Sequence, residues 1–135
     1  MERALTILTG ELQNQLIKKG VRLSHSQLVV IQALCVEEGC SASKLAAYLT
    51  KDRSAIKRTI DSLESKGYVR REKKDKKESS LYLTDAGKQI LPCLQSAVEA
   101  TQKKYFDEIS PDSMEVMTLI FNHVNEVKAQ EVAMR

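Results

Sequence analysis

The histidines and cysteines, five in all, are His25, His123, Cys35, Cys40 and Cys93, side chains that can ligate metals or attack electrophiles. The histidines lie far apart, the cysteines are odd in number, and none shows metal-ligand spacing. The chain also lacks HExxH, CxxC, P-loop and GxGxxG patterns, so neither catalytic nor nucleotide-binding machinery is expected, and no metal or cofactor. Cys35 and Cys93 fall on apolar helical faces and read as small core residues. Cys40 stands beside a turn and reads as exposed. Charge carries more chemistry. Between Lys51 and Glu78 there are eleven Lys/Arg against six Asp/Glu, a net of +5, whereas the rest of the chain sums to −2. A positive field confined to one stretch is the footprint of a surface that meets a polyanion.

The elements that must carry this charge follow from periodicity. Leu5, Leu8, Leu12 and Leu16 form a helical stripe that Gly20 ends. Ser24 or Ser26 caps a second helix with Leu28, Ile31, Leu34 and Cys35 on one face, ending near Gly39. A short extended connection, 40–42, leads to a third helix, Lys44–Leu49, capped by Ser43. Asp52 caps a fourth helix over about 53–66. There Ile56, Ile60 and Leu63 share one face, while Ser54, Arg58, Asp61 and Ser62 lie opposite with Lys57 on the flank. Beyond Gly67 the period changes to that of strands, 68–72 and 80–83, joined by the lysine-rich 73–79. Thr84 or Asp85 caps a long helix to about Phe106, with Pro92 predicted to kink it. Ser110-Pro111 opens a last helix carrying Met117, Ile120, Val124 and Val127 on one side.

Two helices separated by a tight turn and followed by a hairpin make a winged helix-turn-helix. The run Lys44-Leu45-Ala46-Ala47-Tyr48-Leu49, and the run from Asp52 to Leu63-Glu64-Ser65-Lys66-Gly67-Tyr68-Val69, resemble the "LA..L" and "LE.KG.V" patterns of the MarR family. Asp75-Lys76-Lys77 leading to Leu83-Thr84 and Gly87 is similar to that family's D-x-R…L-T-x-x-G wing. The resemblance covers nearly the whole chain. It implies a mainly α fold with a small β-hairpin wing: one domain over 1–135, a DNA-binding part at 24–84, and dimerisation helices at 1–20 and 85–135.

The resemblance further implies a sequence-specific regulator, read as a repressor, that binds double-stranded DNA as a homodimer. Arg58 is assigned the base contact, because a guanidinium can bond a guanine edge bidentately. Ser54 is assigned a base-edge or phosphate contact, Arg53 and Lys57 phosphate contacts, and Ser43 and Lys44 the DNA backbone. Lys73, Lys74, Lys76 and Lys77 hold the wing on phosphates and in the minor groove. Lys77 stands where the family usually has Arg, which implies weaker reading of minor-groove shape. Leu5, Leu8, Leu12, Met117, Ile120 and Val124 are assigned to dimerisation. A small-molecule effector, often anionic or phenolic in this family, would bind a cleft lined by the first, second and fifth helices. A cytoplasmic location without membrane association is expected, since no secretory leader or apolar span is visible. Two alternatives stand beside this reading: a redox-responsive regulator using Cys40 or Cys35, and a winged helix that binds an acidic protein. The family's peroxide sensors resemble one another in a cysteine near the first helix, and this chain has none before Cys35.

Overall fold

The structure is a computed structural model that describes residues 1–73 and 78–134. Its elements run α1 (Glu2–Lys18), α2 (His25–Val36), α3 (Ala42–Leu49), α4 (Arg53–Ser65), β1 (Val69–Glu72), β2 (Ser80–Leu83), α5 (Asp85–Phe106) and α6 (Pro111–Ala133). This is the expected architecture, mainly α with one small hairpin.

Local chemistry sets the boundaries. Ser24 and Gln27 form a reciprocal capping box at the start of α2, the Ser24 hydroxyl accepting from the Gln27 N–H and the Gln27 carbonyl oxygen accepting from the Ser24 N–H. Asp52 accepts from the Ala55 N–H to open α4, and Ser110 from the Ser113 N–H to open α6. The cap of α3 differs from expectation. Ser41, with extended backbone, accepts from the Lys44 N–H, and Ser43 lies inside the first turn. Both serines precede the apolar run, and only the backbone conformation separates them. At Pro92 the helix continues without interruption from Asp85 to Phe106; the proline ring sits on the exposed side.

The core is aliphatic. Ile31, Ile60, Leu63 and Ala97 are wholly buried, with Leu16, Leu28, Leu34, Leu45, Val69 and Leu81 nearly so. Burying each large side chain stabilises the fold by about 1.5–3 kcal/mol relative to exposure. Leu16 brings α1 into this core, and α1 also packs along α5, where Lys104 pairs with Glu11 at 3.1 Å. The strands pair antiparallel, Val69 opposite Leu83 and Glu72 opposite Ser80.

Two cysteine assignments are reversed. Cys40 is buried, because the chain before α3 lies against the hairpin: Gly39 N–H donates to the Leu81 carbonyl, and Leu81 N–H to that of Cys40, both at 2.9 Å. Cys35 is exposed, sharing the outer stripe of α2 with Gln32 and Val36. Cys93 is half-buried against the core.

The hairpin base is locked to α5. Thr84 caps α5 by accepting from the Gly87 N–H. Its own N–H donates to the Tyr68 carbonyl at 3.0 Å, and its hydroxyl to the Gly67 carbonyl at 2.6 Å. Gly87 is held so close to this joint that an added Cβ would lie 2.2 Å from the Tyr68 carbonyl oxygen. The Thr-x-x-Gly spacing read from the sequence is thus the chemistry of one joint.

Candidate nucleic-acid interface

The fourth helix divides along its length. Ile56, Ile60 and Leu63 turn inward at 4%, 0% and 0% exposure. On the outer side of the first two turns, Ser54, Lys57 and Arg58 are all exposed, and none has a side-chain hydrogen bond or ion pair among the described residues. The second half of the outer side is engaged with the protein itself. Asp61 is bound by Arg71 of β1, which also reaches Glu64 at 3.7 Å. Ser62 is half-buried and accepts from Nε2 of Gln27 at 2.8 Å. Asp61 and Ser62, which helical spacing puts beside Ser54 and Arg58, are therefore structural ties.

The cations around this helix differ in availability. Arg53 donates to Glu78 at 3.1 Å, Lys44 pairs with Glu37 at 3.5 Å, and Arg70 pairs with Glu72 while lying 4.5 Å over the Tyr82 ring. Lys51, Lys57, Arg58 and Lys73 have no ion-pair partner among the described residues, and all four are exposed. Lys74, Asp75, Lys76 and Lys77, assigned to the wing, lie outside the described residues.

Sequence reasoning missed Glu78. Its carboxylate accepts the Ser43 hydroxyl at 2.6 Å together with the Arg53 guanidinium. The Ser43 hydrogen bond, and then the Arg53 charge, hold this carboxyl below the usual carboxylate range. Two predicted site residues, Ser43 and Arg53, thus bond to one acid. Arg53, Lys57 and Glu78, with Arg71, line an open cleft of about 300 Å³ floored by Ile60 and Leu81. The available signal was an acid placed just before β2 inside a lysine-rich run, which a charge count only subtracts.

A second surface is apolar. On α6, Val116, Leu119, Ile120, Phe121 and Val124 are all more than half exposed, and Met117 is half-buried. On α1, Leu5 is exposed, Leu8 is half-buried, and Leu12 packs against the core of its own chain. Two clefts lie beside the winged part. One of about 520 Å³ is lined by α1, α2 and Lys66 after α4, and one of about 600 Å³ by α2, α3 and α6. Neither includes α5.

Among the described residues, no group of His, Cys, Asp and Glu is gathered to hold a metal ion, and no helix is long and apolar enough to cross a membrane.

Comparison with known proteins agrees with this architecture. Residues 23–79 match the model of the MarR family. The HTH-type transcriptional regulator SarZ of Staphylococcus haemolyticus is 28% identical over 104 residues, 76% of this chain and 69% of its own. A MarR-family regulator from a Rhodococcus species superposes with a TM-score of 0.78 at 22% identity, over 92% of this chain and 88% of the other. CouR of Rhodococcus jostii, solved bound to p-coumaroyl-CoA, superposes with a TM-score of 0.72 at 22% identity, over 92% of this chain and 87% of its own. Residues 23–79 are thus similar to the MarR family of transcriptional regulators, and the chain as a whole shares the fold of solved members of that family.

Proposed function

We propose that the chain binds double-stranded DNA as a homodimer and represses transcription from a pseudo-palindromic operator, with α4 in the major groove. The observation that carries this reading is the exposed trio Ser54, Lys57 and Arg58, without side-chain partners among the described residues, on a helix whose opposite face is buried. A rigid helix presenting short polar and cationic side chains, and nothing bulkier, fits a groove. Arg58 reads a base edge, an interaction that supplies about 1–3 kcal/mol of discrimination when bidentate. Lys57, Lys51 and Lys73 hold phosphates, and the wing lysines 74, 76 and 77 continue that line. Two copies present α4 to successive major grooves about 34–36 Å apart.

The exposed apolar face of α6, with Leu5 of α1, supports the dimer, since so many large aliphatic side chains in one patch mark an interface. CouR's ligand supports a small-molecule effector, which in this reading occupies a cleft between the winged part and the flanking helices. Such a ligand would act by changing the separation of the two copies of α4. The cytoplasm is the compartment where such a regulator works.

A gel-shift titration against the gene's own upstream region, with competitor DNA, tests the reading. Specific retention is expected, weakened at least tenfold by Arg58→Ala. Uniformly weak binding to every fragment refutes sequence-specific regulation. Sedimentation at micromolar protein is expected to give a dimer, and a monomer alone refutes the paired half-sites.

A further inference from the structure

The Glu78 carboxylate is held by two side chains that the DNA-binding reading assigns to the nucleic-acid backbone. Its two partners, the Ser43 hydroxyl in the first turn of α3 and the Arg53 guanidinium at the start of α4, come from the two helices of the helix-turn-helix. Both belong to the residues assigned to the DNA backbone. A hydroxyl and a guanidinium converging on one oxyanion form a charge-assisted pair of bonds of the kind that also binds phosphate. Both helices point their positively polarised ends toward the same region. Glu78 belongs to the segment between β1 and β2, so the wing supplies the acid that occupies donors on the helix-turn-helix.

We propose that Glu78 is an internal substitute for a phosphate, a brake that lowers affinity for DNA and is displaced when the backbone docks. This rests on the DNA-binding reading above. The physical argument is competitive. A phosphate that approaches Arg53 meets a second anion 3.1 Å from the same guanidinium, and like charges at such separations repel strongly near a protein surface. Docking therefore requires Glu78 to swing away or the phosphate to stand off. The acid is half exposed, so it can leave its partners without opening the core. The remaining cations, Lys51, Lys57, Arg58 and Lys73, have no such internal competitor among the described residues. The brake therefore acts on backbone contacts alone and leaves base reading by Arg58 untouched.

The test is fluorescence anisotropy with a labelled random-sequence duplex over a range of salt concentrations, using the full chain. Glu78→Gln keeps the shape and removes the charge. It is expected to bind about three- to tenfold tighter at moderate salt, with the slope of log K against log salt nearly unchanged, because Arg53 meets the same phosphate in both proteins once the acid has left. Glu108→Gln, an exposed acid beyond α5, changes net charge equally and is expected to leave both quantities almost unchanged. Adding Arg53→Ala to Glu78→Gln is expected to abolish the gain. If the parent protein binds and Glu78→Gln binds no tighter, or more weakly, Glu78 positions Arg53 for DNA and the brake is refuted while the DNA-binding reading stands. An equal gain from Glu108→Gln also refutes it, because net charge alone then suffices. If neither parent nor variant binds duplex at low salt, both readings fall.

Discussion

Substituting Gly87 by alanine tests the joint between the hairpin and α5. The added Cβ would stand 2.2 Å from the Tyr68 carbonyl oxygen, where ordinary contact begins at 3.4 Å, so the backbones must part by more than an ångström. Nothing flexible can give way, because the obstructing atom is backbone. The parting strains the Thr84 N–H bond to Tyr68 and the Thr84 hydroxyl bond to Gly67. Two such bonds contribute about 0.5–1.5 kcal/mol each. Overpacking adds about 1–3 kcal/mol, and the better helix propensity of alanine returns about 1 kcal/mol. The net expected loss is about 1–5 kcal/mol, which for a chain of this length lowers Tm by roughly 4–20 °C. Urea and thermal denaturation followed by circular dichroism measure it, at one fixed protein concentration because assembly links stability to concentration. Gly10→Ala is the control. An added Cβ there meets nothing within 4 Å in the interior of α1, so it should be neutral or stabilise by about 0.5–1 kcal/mol. A Gly87→Ala loss below about 1 kcal/mol would refute the locked joint.

Two further outcomes follow from titratable groups. Burial pushes the Cys40 thiol up while Cys35 is exposed, so an aromatic disulfide reagent should label Cys35 rapidly and Cys40 only after unfolding. Cys35→Ser should remove the fast phase, and rapid native labelling of Cys40 would contradict its packing against the hairpin. The Gln15 amide, followed by the Lys104 ammonium, holds the Glu11 carboxyl below its ordinary value. A depressed carboxyl contributes stability that is present above its unfolded value and lost as pH falls through the folded one. Glu11→Gln should therefore be less stable than the parent at neutral pH, with the gap closing on acidification through the carboxylate range; a gap independent of pH would refute the pairing.

The fold was legible because its signals are local. Apolar spacing marked every helix, Ser24, Asp52 and Thr84 marked three starts, and the period change after Gly67 marked the hairpin. What escaped required knowing which segments meet. Cys40 was read as exposed because it stands beside a turn, and a turn says nothing of the strand that covers it. Cys35 follows Leu34 in the sequence, but one residue is 100° around a helix, enough to cross from the core to solvent. Ser62 and Asp61 sit on the polar side of α4 by angle, yet Gln27 and Arg71 claim them from other elements. Glu78 was invisible for the same reason: its meaning lies in two side chains 25 and 35 positions away.

The division of α4 along its length bears on how such a protein changes over time. Its inner side and last turns are committed to Gln27, Arg71 and the core, whereas the exposed Ser54, Lys57 and Arg58 make no side-chain bond among the described residues. Exchanges at exposed, unbonded positions usually alter stability by less than about 0.5 kcal/mol. These three positions can therefore drift, or be engineered, to another DNA sequence while the scaffold stays intact. Address and architecture are written on the same helix in separable segments.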